Sequence, residues 1–360
     1  MLILYITYVD MGGGASGSGV RPAKMYQAFL DEGHEVKLLS GAQSIAARKK
    51  RRAAAAEVCR WLNTNRPDIC DIESPYYPIL WSFDRRLIRR IHRMGIPIGY
   101  FYRDFPHKLA EKPKRPTGLA GKLKDAVFSL LRRATDRLLR CADIVYLPSE
   151  PAKELFSYRD MRPLPPAGEN RLEGNRPEGH TCIYVGGITG TYDGAQLLDT
   201  FHILNAGGET YRLILVCRKP EWESFSHPYK TAPWLEVHHV SGEELVPLYR
   251  RSALTLCLNA PNPYDLYTVS VKLYEYMSYG LPVGVNGAPE MERRTREIGT
   301  GLVTPYGAEN AAAAVQRFFA DETLRRTLCE QTARALLENN LWNHRVRQVT
   351  RELTERSRGL

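Results

Sequence analysis

The 360-residue sequence is 43% hydrophobic and 25% charged, a balance that fits a folded globular chain and excludes a disordered or fibrous one. At this length two domains of ordinary size, each with its own core, are expected. The net charge of +10 is lopsided: residues 1–165 carry 29 Lys and Arg against 17 Asp and Glu, while residues 166–360 carry 21 against 23.

In chain order, LILYITYV (Leu2–Val9) reads as a strand, and a glycine-rich loop then opens a helix from Gly19 to Leu30 that stops at Gly33. EVKLLS (Glu35–Ser40) is a second strand, followed by a long Ala/Arg-rich helix to about Asn63. PDICDIE (Pro67–Glu73), a helix over Ile79–Met94, IPIGYFY (Ile96–Tyr102) and ADIVYLPS (Ala142–Ser149) continue the alternation. Between the last two, TGLAGKLKDAVFSLLRRATDRLLR puts Leu119, Leu123, Val127, Leu130 and Leu131 on one side of a helix, flanked by Lys122, Lys124, Arg132 and Arg133. That pattern suits an interfacial helix on anionic lipid as well as a helix packed on its own domain.

From Arg162 the pattern breaks into RPLPPAGENRLEGNRPEGH, a Pro-, Gly- and Asn-rich stretch expected to be a linker. Alternation restarts with Thr181–Gly187, a helix to about Asn205, Tyr211–Cys217, Leu235–Val240, Ala253–Asn259, Pro282–Asn286 and Gly301–Pro305. From Ala308 onward the chain is helical by period and composition. The expected fold class is therefore α/β: two doubly wound parallel sheets, an N-terminal domain over 1–165, a linker over 166–180 and a C-terminal domain over 181–339, with a last helix at about 340–360 free to pack back on the first domain.

Ligands in such sheets bind beyond the carboxyl ends of the strands. The loop Gly12–Gly19 follows the first strand and lacks the Lys-Ser/Thr of a P-loop, so its backbone can cradle phosphate or sugar oxygens or be merely flexible. In SVKLYEYMSYGLPV, Ser270 opens a helix that ends at Gly280. Lys272 and Glu275 are spaced to share a face, and Leu273, Tyr276 and Met277 to pack on a sheet. A carboxylate there can accept both hydroxyls of a ribose while Lys272 and the helix N-terminus balance a diphosphate. An ordinary surface Glu–Lys pair has the same spacing. His238 and His239 point to opposite strand faces and make poor joint metal ligands. The seven cysteines include no CxxC pair, and the first residues show no basic leader, so a reduced, cytoplasmic chain is expected.

KLYEYMSYGLPVGVNG with EIGTGLVTPYGAENAAAAVQRFFAD resembles the donor-binding signature of glycosyltransferase family 4. The glycine loop before VRPAKMYQAFLDEGHEVKLLSG, the LPPAG linker and YVGG follow the same order, so the resemblance spans nearly the whole chain. It implies a GT-B fold, in which two Rossmann-like domains face a central cleft, and a retaining, metal-independent transfer from a nucleoside-diphosphate sugar, UDP before GDP, with no resident cofactor. Glu275 would hold the ribose, the diphosphate would sit at Ser270, Lys272 and Leu273, Gly186 and Gly187 would approach the phosphates, and the loop around Gly17 would close over the donor; Arg21, next to that loop, is a further donor-site candidate by its position.

Two departures modify that picture. The family's second Glu, eight residues before the ribose-binding one, is Tyr267 here, which passes sugar recognition to Asp265 or the backbone of Thr268–Ser270. The Arg and Lys that usually follow the second-domain glycines are absent from GGITGTYDG, and Arg218 and Lys219 are the expected substitutes. In the first domain Arg103-Asp104 resembles the family's His-Asp pair, with His107 close by, as candidate catalytic residues; a turn cap is the plain alternative for Asp104. The expected partners are a nucleotide-sugar donor, a glycan or lipid-linked acceptor and, given the basic first half, an anionic membrane surface, but no nucleic acid. Synthesis of a surface polysaccharide or glycolipid is the natural setting. A non-catalytic binding module and a nucleotide-sugar epimerase are the rival readings.

Overall fold

Short apolar runs bounded by turn residues cannot leave either face in water, and here each becomes a strand of a parallel sheet covered by helices. The computed structural model describes residues 1–11, 17–75, 78–103, 105–109, 118–172, 179–208 and 210–358. They divide into two units, Met1–Pro165 with Trp342–Leu360, and Pro166–Leu341.

The first unit runs β1 (Leu2–Ile6), α1 (Gly17–Asp31), β2 (Glu35–Leu39), α2 (Arg48–Trp61), β3 (Ile69–Glu73), α3 (Ser82–Arg93), β4 (Ile98–Phe101), α4 (Pro106–Leu109), α5 (Leu119–Leu139), β5 (Ile144–Leu147) and β6 (Met161–Pro163). Its sheet has the order β2-β1-β3-β4-β5-β6, all parallel, with Ile3 opposite Val36 on one side and Ile69 on the other. The sequence assigns Arg162 to a linker, yet Met161–Pro163 is an edge strand. Three residues ending in Pro are too short to show alternation, and an edge is where a strand tolerates Pro.

The second unit runs β7 (His180–Val185), α6 (Gly194–Leu204), β8 (Tyr211–Val216), α7 (Lys219–Ser224), β9 (Leu235–His238), α8 (Val246–Arg250), β10 (Leu254–Leu258), α9 (Val271–Ser278), β11 (Val283–Asn286), α10 (Pro289–Ile298), β12 (Gly301–Val303), α11 (Ala308–Ala320) and α12 (Glu322–Asn339). The sheet order is β12-β11-β10-β7-β8-β9, again all parallel. The Pro-rich stretch is tied down at its start: Gly168 N donates to Asn340 O at 2.8 Å, Glu169 N to Ser278 Oγ at 2.9 Å, and Arg171 pairs with Glu243 at 2.8 Å.

The last helix, α13 (Trp342–Arg358), belongs to the first unit. Val346, Val349 and Leu353 are fully buried, and Arg347 pairs with Glu32 at 2.6 Å. Gly99 on β4 makes room for this helix, since a Cβ there would lie 3.1 Å from Leu353.

Helix α5 is anchored at its C-terminal end by buried Thr135, Leu138 and Leu139. Further up, Leu123, Val127 and Leu130 are 67%, 46% and 63% exposed. Of the two sequence readings of this helix, packing on its own domain therefore holds only for its final turns. Among the described residues no helix is long and apolar enough to cross a membrane.

Candidate functional site

In a doubly wound sheet the binding crevice opens where the strand order reverses. In the second unit that point lies at β7, which pairs β8 on one side and β10 on the other. The candidate residues gather at the carboxyl ends of these strands. Tyr192, beyond β7, forms an isolated bridge with Asn259, just past β10, across the reversal.

Helix α9 starts because Ser270 caps it, its Oγ accepting from Lys272 N at 3.3 Å, and it ends before Gly280, whose φ of 68° stops further turns. Leu273, Tyr276 and Met277 are fully buried, as their spacing predicts. The Leu273 side chain thus belongs to the core, leaving only its backbone to face a ligand. Lys272 Nζ lies 3.0 Å from Tyr184 Oη and 4.6 and 4.2 Å from the ring centres of Tyr184 and Tyr192. Burial lowers its pKa, the mark of an ammonium short of solvation.

Glu275 turns elsewhere. Its Oε1 accepts from the Tyr249 hydroxyl at 2.9 Å, and burial raises its pKa. The surface Glu–Lys pair that the spacing also allowed is therefore not formed: each head group has a separate tyrosine partner. What remains is a partly buried carboxylate and a partly buried ammonium on one short helix, able to meet sugar hydroxyls and an anion respectively.

Gly186 and Gly187 are glycines for reasons of space. A Cβ on Gly186, at φ +148°, would lie 2.4 Å from Lys272 Cε, and one on Gly187 would lie 2.7 Å from Tyr192 Cδ2 and 3.3 Å from Glu221 Oε1. Glu221, on α7, is a site residue that the sequence reading missed. Its Oε1 accepts from Ile188 N at 2.9 Å, Thr189 N at 3.1 Å and Thr189 Oγ1 at 2.7 Å. Arg218 and Lys219 stand at the end of β8 with side chains 82% and 69% exposed, their nearest acidic neighbours being Glu221 at 4.0 Å and Glu223 at 3.9 Å. Asp265 accepts from Asn259 Nδ2 at 3.3 Å, and burial raises its pKa. Tyr267 is partly buried immediately after the short turn that carries Asp265.

The first-unit candidates divide differently. Gly17 opens α1, while Gly12–Ser16 and Asp104 lie outside the described residues, as does the side chain of His107 in α4. Arg103 follows β4, and its backbone amide donates to Ser74 Oγ at 3.0 Å. Arg21 is 4% exposed: Nε meets Glu73 at 2.9 Å, Nη1 donates to Leu164 O at 3.2 Å, and the guanidinium lies 3.6 Å over the Phe101 ring. Those contacts commit it to holding its own unit together. Among the described residues no three His, Cys, Asp or Glu side chains converge as metal ligands do. His238 binds Glu236 and His239 binds Cys217 O, each on its own side.

The sequence model of a family described as "Glycosyl transferase-like" matches residues 199–351. A search of curated proteins finds no sequence match. Solved structures match over essentially the whole chain. WaaG, a glycosyltransferase involved in lipopolysaccharide biosynthesis, is 13% identical with a TM-score of 0.62, covering 97% of this chain and 98% of its own. Anabaena HepE, in complex with UDP, is 12% identical at 0.66, covering 99% and 100%. An α-glucosyltransferase in complex with UDP and a 13-mer DNA is 12% identical at 0.63, covering 98% and 99%. The fold is thus the GT-B fold of glycosyltransferases, and the glycosyltransferase resemblance drawn from KLYEYMSYGLPVGVNG stands.

Proposed function

We propose that this GT-B, glycosyltransferase-like chain moves a sugar from a nucleoside diphosphate to an acceptor hydroxyl, with retention at the anomeric carbon and without a metal ion. The observation that carries the reading is the division of labour on α9: Glu275 beside Tyr249 and Lys272 beside Gly186, both destabilised by burial and both suited to one nucleotide. In this reading Glu275 accepts the ribose hydroxyls. Lys272 and the N-terminal end of α9 offset the charge that grows on the diphosphate as the sugar–oxygen bond breaks. The acceptor oxygen takes the sugar and releases its proton, and the nucleoside diphosphate leaves.

Uridine is the favoured base, supported by the UDP bound to HepE and to the α-glucosyltransferase. Asp265 and Tyr267 are the proposed readers of the donor sugar, and Arg103, Asp104 and His107 the proposed acceptor-side group. The acceptor is proposed to be a glycan or a lipid-linked glycan of surface polysaccharide or glycolipid synthesis. The exposed apolar stripe on α5, beside Lys122 and Lys124, supports delivery of that acceptor at an anionic membrane face.

Calorimetric titration of UDP, GDP, ADP and their sugar conjugates in EDTA, on wild type and Glu275→Ala, tests the core of the proposal. Selective binding of one nucleotide that is weakened in the variant is the expected result. Absence of binding by every nucleotide would refute a preformed donor site on α9.

A further inference from the structure

The end of β7 carries an anion cradle that the chain fills with its own carboxylate. The amides of Ile188 and Thr189 and the Thr189 hydroxyl converge on a single oxygen of Glu221, 2.7 to 3.1 Å away. Successive backbone N–H groups aimed at one point, reinforced by a hydroxyl, are the coordination that loops give to phosphate oxygens. Glu221 reaches the loop from α7, across the β7–β8 boundary and more than thirty residues away in sequence. Its second oxygen, Oε2, is buried without a hydrogen-bond partner, 4.0 Å from the Arg218 guanidinium. Burial alone would raise the Glu221 pKa, but the donors from Thr189 and Ile188 hold it below the ordinary value, so the carboxylate is charged at neutral pH. Two glycines leave the space around the cradle: a Cβ on Gly187 would lie 3.3 Å from Glu221 Oε1, and one on Gly186 would lie 2.4 Å from Lys272 Cε.

We propose that Glu221 is an internal competitor for the donor diphosphate, an inference that rests on the donor site proposed above. A single carboxylate oxygen satisfies the cradle and leaves the neighbouring Lys272 ammonium held only by Tyr184 and Tyr192. A diphosphate brings more charge and more oxygens and can engage the cradle, Lys272 and the start of α9 together. Its entry requires Glu221 to leave toward solvent, where Arg218 and Lys219 are already exposed. Donor affinity is accordingly held below what the cradle alone would give, and return of Glu221 hastens departure of the nucleoside diphosphate product.

The test compares wild type, Glu221→Gln and Glu221→Ala, with thermal unfolding as the check on fold and UDP, uridine and inorganic pyrophosphate as calorimetric probes. Glu221→Ala is expected to bind UDP and pyrophosphate at least tenfold more tightly, with uridine unchanged. Glu221→Gln keeps an acceptor for the loop without the charge and is expected to shift in the same direction by less. If wild type binds UDP and neither variant binds it more tightly, the competitor is refuted while the donor site stands. If pyrophosphate binding tightens but no nucleoside diphosphate binds any of the three proteins, the cradle is upheld and the donor reading falls. If no probe binds any of them, both fall.

Discussion

Replacing Asp71 by asparagine separates folding electrostatics from function. Asp71 lies on β3, 1% exposed, and its carboxyl is pushed up to about 8 by burial and by the charge of Glu73, with Arg21 opposing. In the unfolded chain the same group ionises near 3.8. Between these values the folded protein holds a proton that the unfolded chain has released, so stability falls as pH rises through this window. The slope is about 1.4 kcal/mol per pH unit, and the accumulated penalty reaches roughly 4 kcal/mol at neutral pH. It is absent below the lower value and stops growing above the upper one. Asparagine has nearly the same shape and no proton to lose. Asp71→Asn should therefore match wild type within ~1 kcal/mol near pH 4.5 and exceed it by several kcal/mol at pH 8. Urea unfolding of both proteins at stepped pH gives the difference, in which the contributions of acids that do not interact with Asp71 cancel. A difference that is flat with pH, or that grows toward acid, would refute the assignment of a neutral Asp71 at physiological pH.

Other outcomes follow from single sites. Glu275→Ala should weaken nucleotide binding by several-fold to a hundredfold, the loss of one charge-assisted hydrogen bond of about 1.5–3 kcal/mol; unchanged affinity in calorimetry would remove Glu275 from the site. Gly287→Ala should unfold the second unit or cost more than about 3 kcal/mol in urea titration, because its Cβ would lie 1.7 Å from Asn259 O at φ +71°. Arg51→Met leaves buried Asp84 unpaired and should cost about 3–5 kcal/mol, read in the same assay. Joint replacement of Leu123, Val127 and Leu130 by serine should abolish flotation with anionic vesicles without lowering the melting temperature, since these side chains are exposed; undiminished flotation would remove α5 from the membrane reading.

Much of the fold was legible along the chain, because a parallel strand buried on both faces and a helix cap are local patterns. Leu2–Ile6 and Glu35–Leu39 fall inside the apolar runs that mark them, His180–Val185 starts one residue before its run, and Ser270 and Gly280 bound α9 as their chemistry dictates. The core positions Leu273, Tyr276 and Met277 followed from helical spacing alone. The edge strand Met161–Pro163 did not, being shorter than any period.

What tertiary structure decided was the choice of partner. Spacing placed Lys272 and Glu275 together, yet strand order set Tyr184 beside one and packing set Tyr249 beside the other. Arg21 looked open beside a glycine loop until β3 and Phe101 enclosed it. Glu221 gave no local signal, because its cradle belongs to a loop that only the pairing of β7 with β8 brings within reach. A sequence window shows which groups are charged or apolar. Which of them meet is fixed by the order of strands in the sheet, and that order is settled by burial across the whole unit.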